Sequence, residues 1–362
     1  MKQRVRVPLA SAAALIVVAI LLLAGCGSSS SSSGSTSSDS GGRELTKIKL
    51  LVASDSGENI FYYPFGLAQS LGYYRDVGID MEFVPGNGGS GVVQQIVSGN
   101  SQAGLTSPAA ILVAGSQGHE LKVPFSYVYG PTFDVIVTGD SPVRTMADLD
   151  GKTIGVSEAS GGEVPFVRAL MKNARIDADV IPVGFGLQAA DALKNGRVDA
   201  YSSGVVDFQQ MKSAGFDFRR ISPPEVAKFP GTGITISPQA WDDDRAMWVD
   251  FLRETARAQH YALTNPEAAL EVMRRRLPDA FEDPDAGRAF FEAMLDITVP
   301  PGGVESEHYG EVNEQGWEDY QDFLLSGAKG DDGDVLTRPA DIGAIIDNSE
   351  QARINDFPKT AK

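Results

Sequence analysis

The sequence is poor in cysteine, histidine and basic side chains. Cys26 is the single cysteine of 362 residues, so the chain beyond it has no disulfide, cysteine metal site or cysteine nucleophile. His119, His260 and His308 stand far apart, without metal-ligand spacing or a serine or cysteine partner nearby, and we interpret them as surface or packing residues. These absences argue against an enzyme that depends on thiol, imidazole or metal chemistry.

Negative charge dominates the composition. The chain has 48 acidic and 31 Lys or Arg residues, which gives a formal net charge of -17 at pH 7. This charge disfavours nucleic acid and anionic lipid surfaces as partners. A small anion is still compatible, because local donors act over distances shorter than the screening length of about 8–10 Å. The acidic run Asp331-Asp332-Gly333-Asp334 lacks the acid that a calcium loop needs at its twelfth position, where Ile342 stands, so we interpret it as a solvated loop.

The N-terminus carries the features of a targeting segment. Residues 1–25 combine a basic start with an apolar run from Leu9 to Leu23, which suits a signal peptide and is short for a membrane-spanning helix. Leu23-Ala24-Gly25-Cys26 resembles a bacterial lipobox, which predicts a lipid on Cys26 as the first mature residue. A plain signal peptide with an incidental cysteine is the alternative. Residues 26–44 are rich in Ser and Gly and predict a flexible tether.

Two glycine-rich turns share one pattern. Gly86–Gly91 and Gly184–Ala189 both read Gly-x-Gly-x-x-Gly/Ala, and each follows a strand-like run and opens a helix-like one. A dinucleotide site would need an acid about 20 residues after the first turn, but Ile111 stands there in an apolar run. We therefore interpret both as structural strand-to-helix turns. A unit used twice predicts two similar lobes with a ligand held between them.

The order of elements predicts an α/β fold. Strand-like runs alternate with helix-like runs up to about residue 236, which indicates βαβ units and largely parallel sheets. From Ser237 the pattern is helical, with helix starts at Ser237-Pro238, Asn265-Pro266 and Asp283-Pro284. We expect lobe 1 to comprise residues 45–132 plus 237–362, with the C-terminal helices packed on it, and lobe 2 to comprise residues 133–236.

Several short motifs follow one another in order over about residues 45 to 270. They are Pro64-Phe65-Gly66-Leu67-Ala68, Gly78-Ile79-Asp80-Met81-Glu82, Ser98-Gly99-Asn100, Met146-Ala147-Asp148-Leu149-Asp150-Gly151-Lys152, Asn195-Gly196-Arg197-Val198-Asp199-Ala200 and Asn265-Pro266-Glu267-Ala268-Ala269. The ordered set resembles bacterial periplasmic-binding proteins of the nitrate/sulfonate/taurine and thiamine-pyrimidine-precursor group, the solute receptors of ABC importers. Gln102 departs from that group, which usually has an acid before Ala-Gly.

The resemblance implies a two-lobed periplasmic-binding-protein-like type II fold that closes on a small ligand. It implies a non-enzymatic protein without a cofactor, whose partners are an ABC permease and ATPase. With the lipid on Cys26, we expect a monomer at the outer face of the cytoplasmic membrane. One alternative is a ligand-sensing lipoprotein coupled to a signalling partner. Another is an enzyme related to thiamine-pyrimidine synthesis, although the cysteine-rich motif of its eukaryotic relatives is absent.

The predicted ligand site combines hydroxyls and glycines at strand ends, two helix N-termini and aromatic rings, since these can bind polar groups and stack on a ring. The alternatives are capping for the hydroxyls, packing for the rings, and a first-turn acid complementing the helix dipole for Glu163. The candidates are Ser54, Asp55, Ser56, Tyr62, Tyr63, Gly88, Thr106, Ser107, Tyr127, Ser160, Gly161, Gly162, Glu163, Phe185, Tyr201 and Ser203.

Basic residues are scarce around these turns, and no arginine stands where it would form a fork for an anion. This favours a neutral or amino-bearing ring, such as a thiamine-type pyrimidine, over a sulfonate, taurine or nitrate. The preference is a matter of degree, because helix N-termini and hydroxyls alone can bind anions. Asp55 and Glu163 are the candidate acceptors for an amino group.

Overall fold

The computed structural model describes residues 37–38, 44–54, 57–159, 161–326, 336 and 338–359. Residues Met1–Gly34 and Ser35–Lys362 form separate units, and the second is described below. The predicted leader, Cys26, most of the tether and the acidic run at residues 331–334 lie outside the described residues. Within the described part, no helix has the length and apolar character needed to cross a membrane.

Strands and helices alternate over the first two thirds of the unit, and helices follow. The strands of the described residues are β1 (Ser37–Ser38), β2 (Glu44–Val52), β3 (Ile79–Pro85), β4 (Ala103–Thr106), β5 (Lys122–Ser126), β6 (Phe133–Thr138), β7 (Thr153–Val156), β8 (Asp179–Pro182), β9 (Ala200–Gly204), β10 (Phe218–Arg220) and β11 (Gly233–Ile236). The α-helices are α1 (Tyr63–Ser70), α2 (Tyr73–Asp76), α3 (Gly88–Val97), α4 (Pro108–Ser116), α5 (Glu163–Ala174), α6 (Leu187–Lys194), α7 (Val205–Ser213), α8 (Pro238–Asp243), α9 (Arg245–Thr264), α10 (Pro266–Arg276), α11 (Pro284–Ile297), α12 (Glu314–Ser326), α13 (Ile342–Ile345) and α14 (Gln351–Ile354).

Two sheets have the same strand order. The first reads β3-β2-β4-β11-β5, with β1 paired to the start of β2, and the second reads β8-β7-β9-β6-β10. In each sheet three neighbouring strands pair in parallel, β3-β2-β4 in the first and β8-β7-β9 in the second. The next strand, β11 or β6, runs antiparallel to them, and the last strand, β5 or β10, pairs antiparallel with β11 or β6 and so runs in the direction of the first three. The predicted α/β class with a repeated unit is therefore confirmed, and the sheets are mixed because each receives a strand, β6 or β11, that enters from the other lobe.

The glycine turns occupy equivalent positions in the two sheets. The first joins β3 to α3, and the second joins β8 to α6. In the first, Gly88 N–H donates to the carbonyl of Ala53, which directly follows the central strand β2. In the second, Gly184 N–H donates to the carbonyl of Ser157, which directly follows the central strand β7. Each turn thus ties the outer parallel strand to the end of the central one.

The predicted helix starts are confirmed. Ser237 caps α8 through a hydrogen bond from Ala240 N to its Oγ, and Asp283 caps α11 by accepting from the amides of Asp285 and Ala286. Ser107 precedes Pro108 at the start of α4, but its side chain makes no cap hydrogen bond. The Ser107 hydroxyl therefore does not cap α4.

The C-terminal helices pack on the first lobe as expected, and two of them also contact the second. The ring of Phe251 on α9 stacks on Tyr74 at 4.7 Å, while the hydroxyls of Tyr74 and Thr255 lie 2.7 Å apart. The ring of Phe323 on α12 lies 5.9 Å from Phe166 on α5 of the second lobe. Helix α11 lies against α7, which also belongs to the second lobe. The lobes are therefore joined by helical packing as well as by strand crossovers.

The lobe limits expected from the sequence stay a prediction. Strand β11, which ends the predicted lobe 2 segment, is hydrogen-bonded between β4 and β5 in the first sheet. The chain therefore returns to the first lobe before residue 233.

We predict that Gly91→Ala destabilises the protein by about 1–3 kcal/mol, the usual cost of forcing extra volume into a packed site. A Cβ at Gly91 would clash with the backbone carbonyl of Gly86 across the turn. Gly130→Ala is the matched control, because a Cβ there meets no atom within 4 Å. Denaturant unfolding of both variants tests this, and equal stabilities would contradict the account of the turn.

Candidate functional site

A cavity of about 900 Å³ lies between the two sheets. All six parallel strands reach it with their C-terminal ends, where ligands of open α/β sheets bind. From the first sheet it is lined by residues that end or follow β2, β3 and β4, and from the second by residues that follow β7, β8 or end β9. These residues are Ala53, Ser54, Gly88, Gly89, Thr106, Ser107, Ser157, Glu158, Phe185, Ser203 and Gly204.

The remaining wall is helical and was not expected from the sequence. Helix α7 of the second lobe contributes Val206, Gln210 and neighbouring residues, and α11 contributes Gly287 and Phe290. The cavity is thus bounded by a C-terminal helix as well as by strand ends. The sequence does not predict that α11 lines the cavity, because the position of this helix in the fold depends on tertiary packing.

Glu163 is a buried acid at the start of α5. Its side chain is 3% exposed, and Oε1 accepts from Ser157 N at 2.8 Å and from the Ser157 hydroxyl. Burial raises the pKa of Glu163, while hydrogen bonds from the Ser157 side chain and from the amides of residues 157, 158 and 163 oppose the rise. Glu163 lines the cavity and stands in the first turn of α5, and its contact with a ligand stays a prediction.

Asp207 is a second buried acid in the same cavity, and the sequence analysis missed it. It is 4% exposed, and its Oδ2 accepts from the Tyr201 hydroxyl at 2.8 Å and from the Ser203 hydroxyl. Burial raises the pKa of Asp207, against the hydrogen bonds from Ser203, Tyr201 and the amide of Gly186. The signal available in sequence was an acid four residues after the strand-end Ser203, at the start of a helix.

Acidic groups line the cavity without basic ones. Glu158, Glu163, Asp207 and Asp283 are lining residues, whereas no Lys, Arg or His occurs among the described residues of the wall. The hydroxyls of Ser157, Tyr201 and Ser203 already donate their protons to the two buried carboxylates or to a carbonyl. The two buried carboxylates of the second lobe are acceptors, while Gln209, Gln210 and Ser213 on α7 add groups that can both donate and accept.

Hydroxyls of the first lobe and the segment that leaves it complete the polar lining. Thr106 Oγ1 donates to the carbonyl of Gly89 at 3.2 Å. The hydroxyls of Ser107 and Thr132 are buried and lack a partner among the described residues. An unsatisfied buried hydroxyl is costly, and at the cavity wall both groups are placed to form a further hydrogen bond.

Aromatic rings supply the apolar part of the wall. Phe61, Tyr62, Phe133, Phe185 and Phe290 line the cavity. Phe185 follows β8 and is 50% exposed, whereas phenylalanine side chains are most often buried. Its ring is the one most accessible to a flat ligand.

Two of the predicted site residues lie in the core instead. Tyr63 is fully buried with its hydroxyl 2.7 Å from Thr298 Oγ1, and Tyr127 is fully buried against Phe61 and Phe65. Neither lines the cavity, because each ring turns into the packed interior of the first lobe. Tyr201 does not line the cavity either, but its hydroxyl donates to Asp207, which does.

The other predicted residues divide in two groups. Asp55, Ser56 and Ser160 lie outside the described residues. Those that line the cavity are Ser54, Tyr62, Gly88, Thr106, Ser107, Gly161, Gly162, Glu163, Phe185 and Ser203. The structure brings these ten together from both lobes, and their contact with a ligand stays a prediction.

The family model described as NMT1/THI5 like matches residues 59–269, which is more than half of the chain. The chain belongs to the NMT1/THI5-like family. Its matched region contains the glycine turns, both buried acids and most of the cavity wall.

Curated relatives of this NMT1/THI5-like protein have different names. The riboflavin-binding protein RibY of Chloroflexus aurantiacus is 23% identical over 227 residues, which cover 61% of this chain and 64% of that protein. A 4-amino-5-hydroxymethyl-2-methylpyrimidine phosphate synthase of Schizosaccharomyces pombe is 27% identical over 153 residues, covering 42% of this chain and 43% of that protein. The chain thus spans less than two thirds of the length of each.

A solved structure shares the fold. The alkanesulfonate-binding protein SsuA of Xanthomonas axonopodis pv. citri, bound to MOPS, superposes with a TM-score of 0.57 at 14% identity, covering 80% of this chain and 96% of that one. At this identity the likeness establishes the fold, and the two-lobed periplasmic-binding-protein-like architecture expected from the sequence is confirmed.

We predict that stability depends on the charge state of Asp207. A raised pKa in the folded state favours folding at low pH, and this contribution is lost as pH rises through the folded pKa. Relative to Asp207→Asn, the wild type should therefore lose stability as pH rises above about 4, by about 1.4 kcal/mol for each pKa unit of the rise. Urea unfolding of both proteins between pH 4 and 7 measures this, and a wild type that becomes more stable relative to Asp207→Asn as pH rises would contradict it.

Proposed function

We propose that the protein is an extracytoplasmic, lipid-anchored solute-binding protein that captures a small organic ligand between its lobes and delivers it to an ABC importer. The observation that carries the proposal is the cavity of about 900 Å³ lined from both lobes at the ends of all six parallel strands. A ligand that contacts both walls favours the closed arrangement in proportion to its extra contacts there. Such a change in lobe arrangement is what a permease can recognise.

The cavity chemistry favours an amino-bearing heterocycle over an anion. Four acids line it, and a ligand with N–H donors matches the carboxylates and occupied hydroxyls of the second lobe. Several aromatic rings, with Phe185 the most exposed, suit a flat ligand. The names of two relatives share a nitrogen heterocycle, riboflavin in one and a 4-aminopyrimidine that carries a phosphate in the other.

An enzyme is the second candidate, because several relatives of this chain are named pyrimidine phosphate synthases. The match to them covers less than half of this chain. The sequence beyond Cys26 has no cysteine, and within the described residues no group of acids, histidines or cysteines is arranged to hold a metal ion. Binding without turnover is therefore the function that the cavity supports best.

We predict that the protein binds 4-amino-5-hydroxymethyl-2-methylpyrimidine or riboflavin more tightly than it binds hexanesulfonate. Isothermal titration calorimetry measures the three affinities. Phe185→Ala should weaken binding of the ring ligand about 3- to 10-fold, because stacking contributes about 0.5–1.5 kcal/mol. Val97→Ala is the matched control, since Val97 is also exposed but lies outside the cavity wall. Binding of the sulfonate alone would refute the preferred ligand class.

We predict that Cys26 anchors the protein. In a bacterial host, the full chain should fractionate with membranes and incorporate a radiolabelled fatty acid, while Cys26→Ser should lose the label. Deleting residues 27–34 is the control that changes the tether and keeps the cysteine. Equal labelling of wild type and Cys26→Ser would show that the lipobox resemblance is misleading.

A further inference from the structure

Two helix N-termini from different lobes meet at the cavity. Ser107 is the N-cap residue of α4 in the first lobe, and Gly162 is the N-cap residue of α5 in the second. A Cβ built on Gly162 would lie 3.0 Å from Ser107 Oγ, so the hydroxyl reaches the start of α5. We call the space bounded by Ser157, Gly162 and the Ser107 hydroxyl the α5 seat.

The α5 seat has three hydrogen-bond donors suited to an anion, namely the amide and hydroxyl of Ser157 and the Ser107 hydroxyl. Within the first turn of α5, the Val164 amide donates to the Gly161 carbonyl and Pro165 has no N–H. Helix N-termini carry free amides and a partial positive charge, which attract carboxylate, sulfonate or phosphate groups. Ser107 adds a hydroxyl that is 7% exposed and has no partner among the described residues. Helix α5 has 12 residues, and the partial positive charge of its N-terminus acts within the first turn.

The seat is nevertheless filled by a side chain of the protein. The Glu163 carboxylate folds back over Gly161, where an added Cβ would clash with it. It accepts hydrogen bonds from the Ser157 amide at 2.8 Å and from the Ser157 hydroxyl, and Glu163 is 3% exposed. The amide and hydroxyl of Ser157 are thus already bonded to an internal anion, and of the three donors of the seat only the Ser107 hydroxyl lacks a partner among the described residues.

We propose that Glu163 is a specificity-determining residue that occupies the α5 seat and thereby excludes anionic ligands from the cavity. It acts in two ways. First, its carboxylate accepts a hydrogen bond from the Ser157 amide, so that this donor is not available to a ligand. Second, its negative charge repels an anionic ligand in a cavity whose described lining residues include other acids and no base. The inference rests on the proposed function, since it assigns the ligand selectivity of the same cavity.

Asp207 provides a matched contrast within the same wall. It is buried to the same degree, but its partners are the hydroxyls of Tyr201 and Ser203 rather than the amides before α5. Removing its charge lowers repulsion and frees no donor of the α5 seat. A comparison of the two acids therefore separates occupation of the seat from general negative charge.

The test is titration of full-length wild type, Glu163→Ala, Glu163→Gln and Asp207→Asn with hexanesulfonate and MOPS. Glu163→Ala should bind the sulfonates roughly 10- to 100-fold more tightly than wild type, the range that charge-assisted hydrogen bonds give. Glu163→Gln should gain less, because its amide oxygen still accepts from Ser157, and Asp207→Asn should gain least. Circular dichroism of each variant establishes folding, and Glu163→Gln keeps the side-chain volume if the alanine variant is unstable.

The outcomes separate this inference from the proposed function. Sulfonate affinities unchanged in both Glu163 variants overturn the inference, even if the wild type binds an amino-heterocycle. An equal gain in Asp207→Asn also overturns it, since charge alone would then explain selectivity. A gain confined to the Glu163 variants supports it, whether or not the pyrimidine and riboflavin probes bind to the wild type.

Discussion

The parallel orientation of three strands in each sheet is the constraint on which the rest of the structure depends. Because β2, β3 and β4 end at the same edge, and β7, β8 and β9 do likewise, the six chain segments that follow these strands converge on one space. The glycine turns strengthen this arrangement by bonding each outer strand's turn to the residue after the central strand. The antiparallel strands β6 and β11 then fix where the chain passes between lobes. A cavity between the sheets follows from this topology before any side chain is specified.

Side chains decide what that cavity accepts. Burying Glu163 and Asp207 would be costly if they were unpaired, yet each carboxylate accepts several hydrogen bonds from hydroxyls and amides nearby. Those bonds keep the acids in place and occupy the hydroxyls of Ser157, Tyr201 and Ser203. The two carboxylates therefore act as hydrogen-bond acceptors on the side of the second lobe. The hydroxyls of Ser107 and Thr132, which have no partner among the described residues, lie in the part of the wall that the first lobe and the segment leaving it form. A ligand with N–H groups on one side and a hydrogen-bonding atom on the other satisfies both walls at once.

The sequence predicted the fold better than the site, for a physical reason. Glycine turns, the Ser237 and Asp283 caps and the alternation of strands and helices are local signals, and the structure confirms them. The direction of a side chain at a strand end depends on rotation of the next helix, which only tertiary contacts determine. Tyr62 and Tyr63 are adjacent, yet Tyr62 lines the cavity and Tyr63 bonds to Thr298 in the core. The contribution of α11 was invisible for the same reason, since it lies far along the chain from the strands that it faces.

A shared fold leaves ligand chemistry open, because the backbone at a helix start attracts anions in any sequence. A side chain that accepts hydrogen bonds from those amides removes them as donors for a ligand. At the start of α5, one acid in the first turn is enough to reverse the local preference, since it both occupies the donors and adds charge. A receptor can thus change from anionic to amino-bearing ligands without altering a strand or a turn. Names carried by relatives with 14–27% identity are therefore weaker guides to the ligand than the residues that face the cavity.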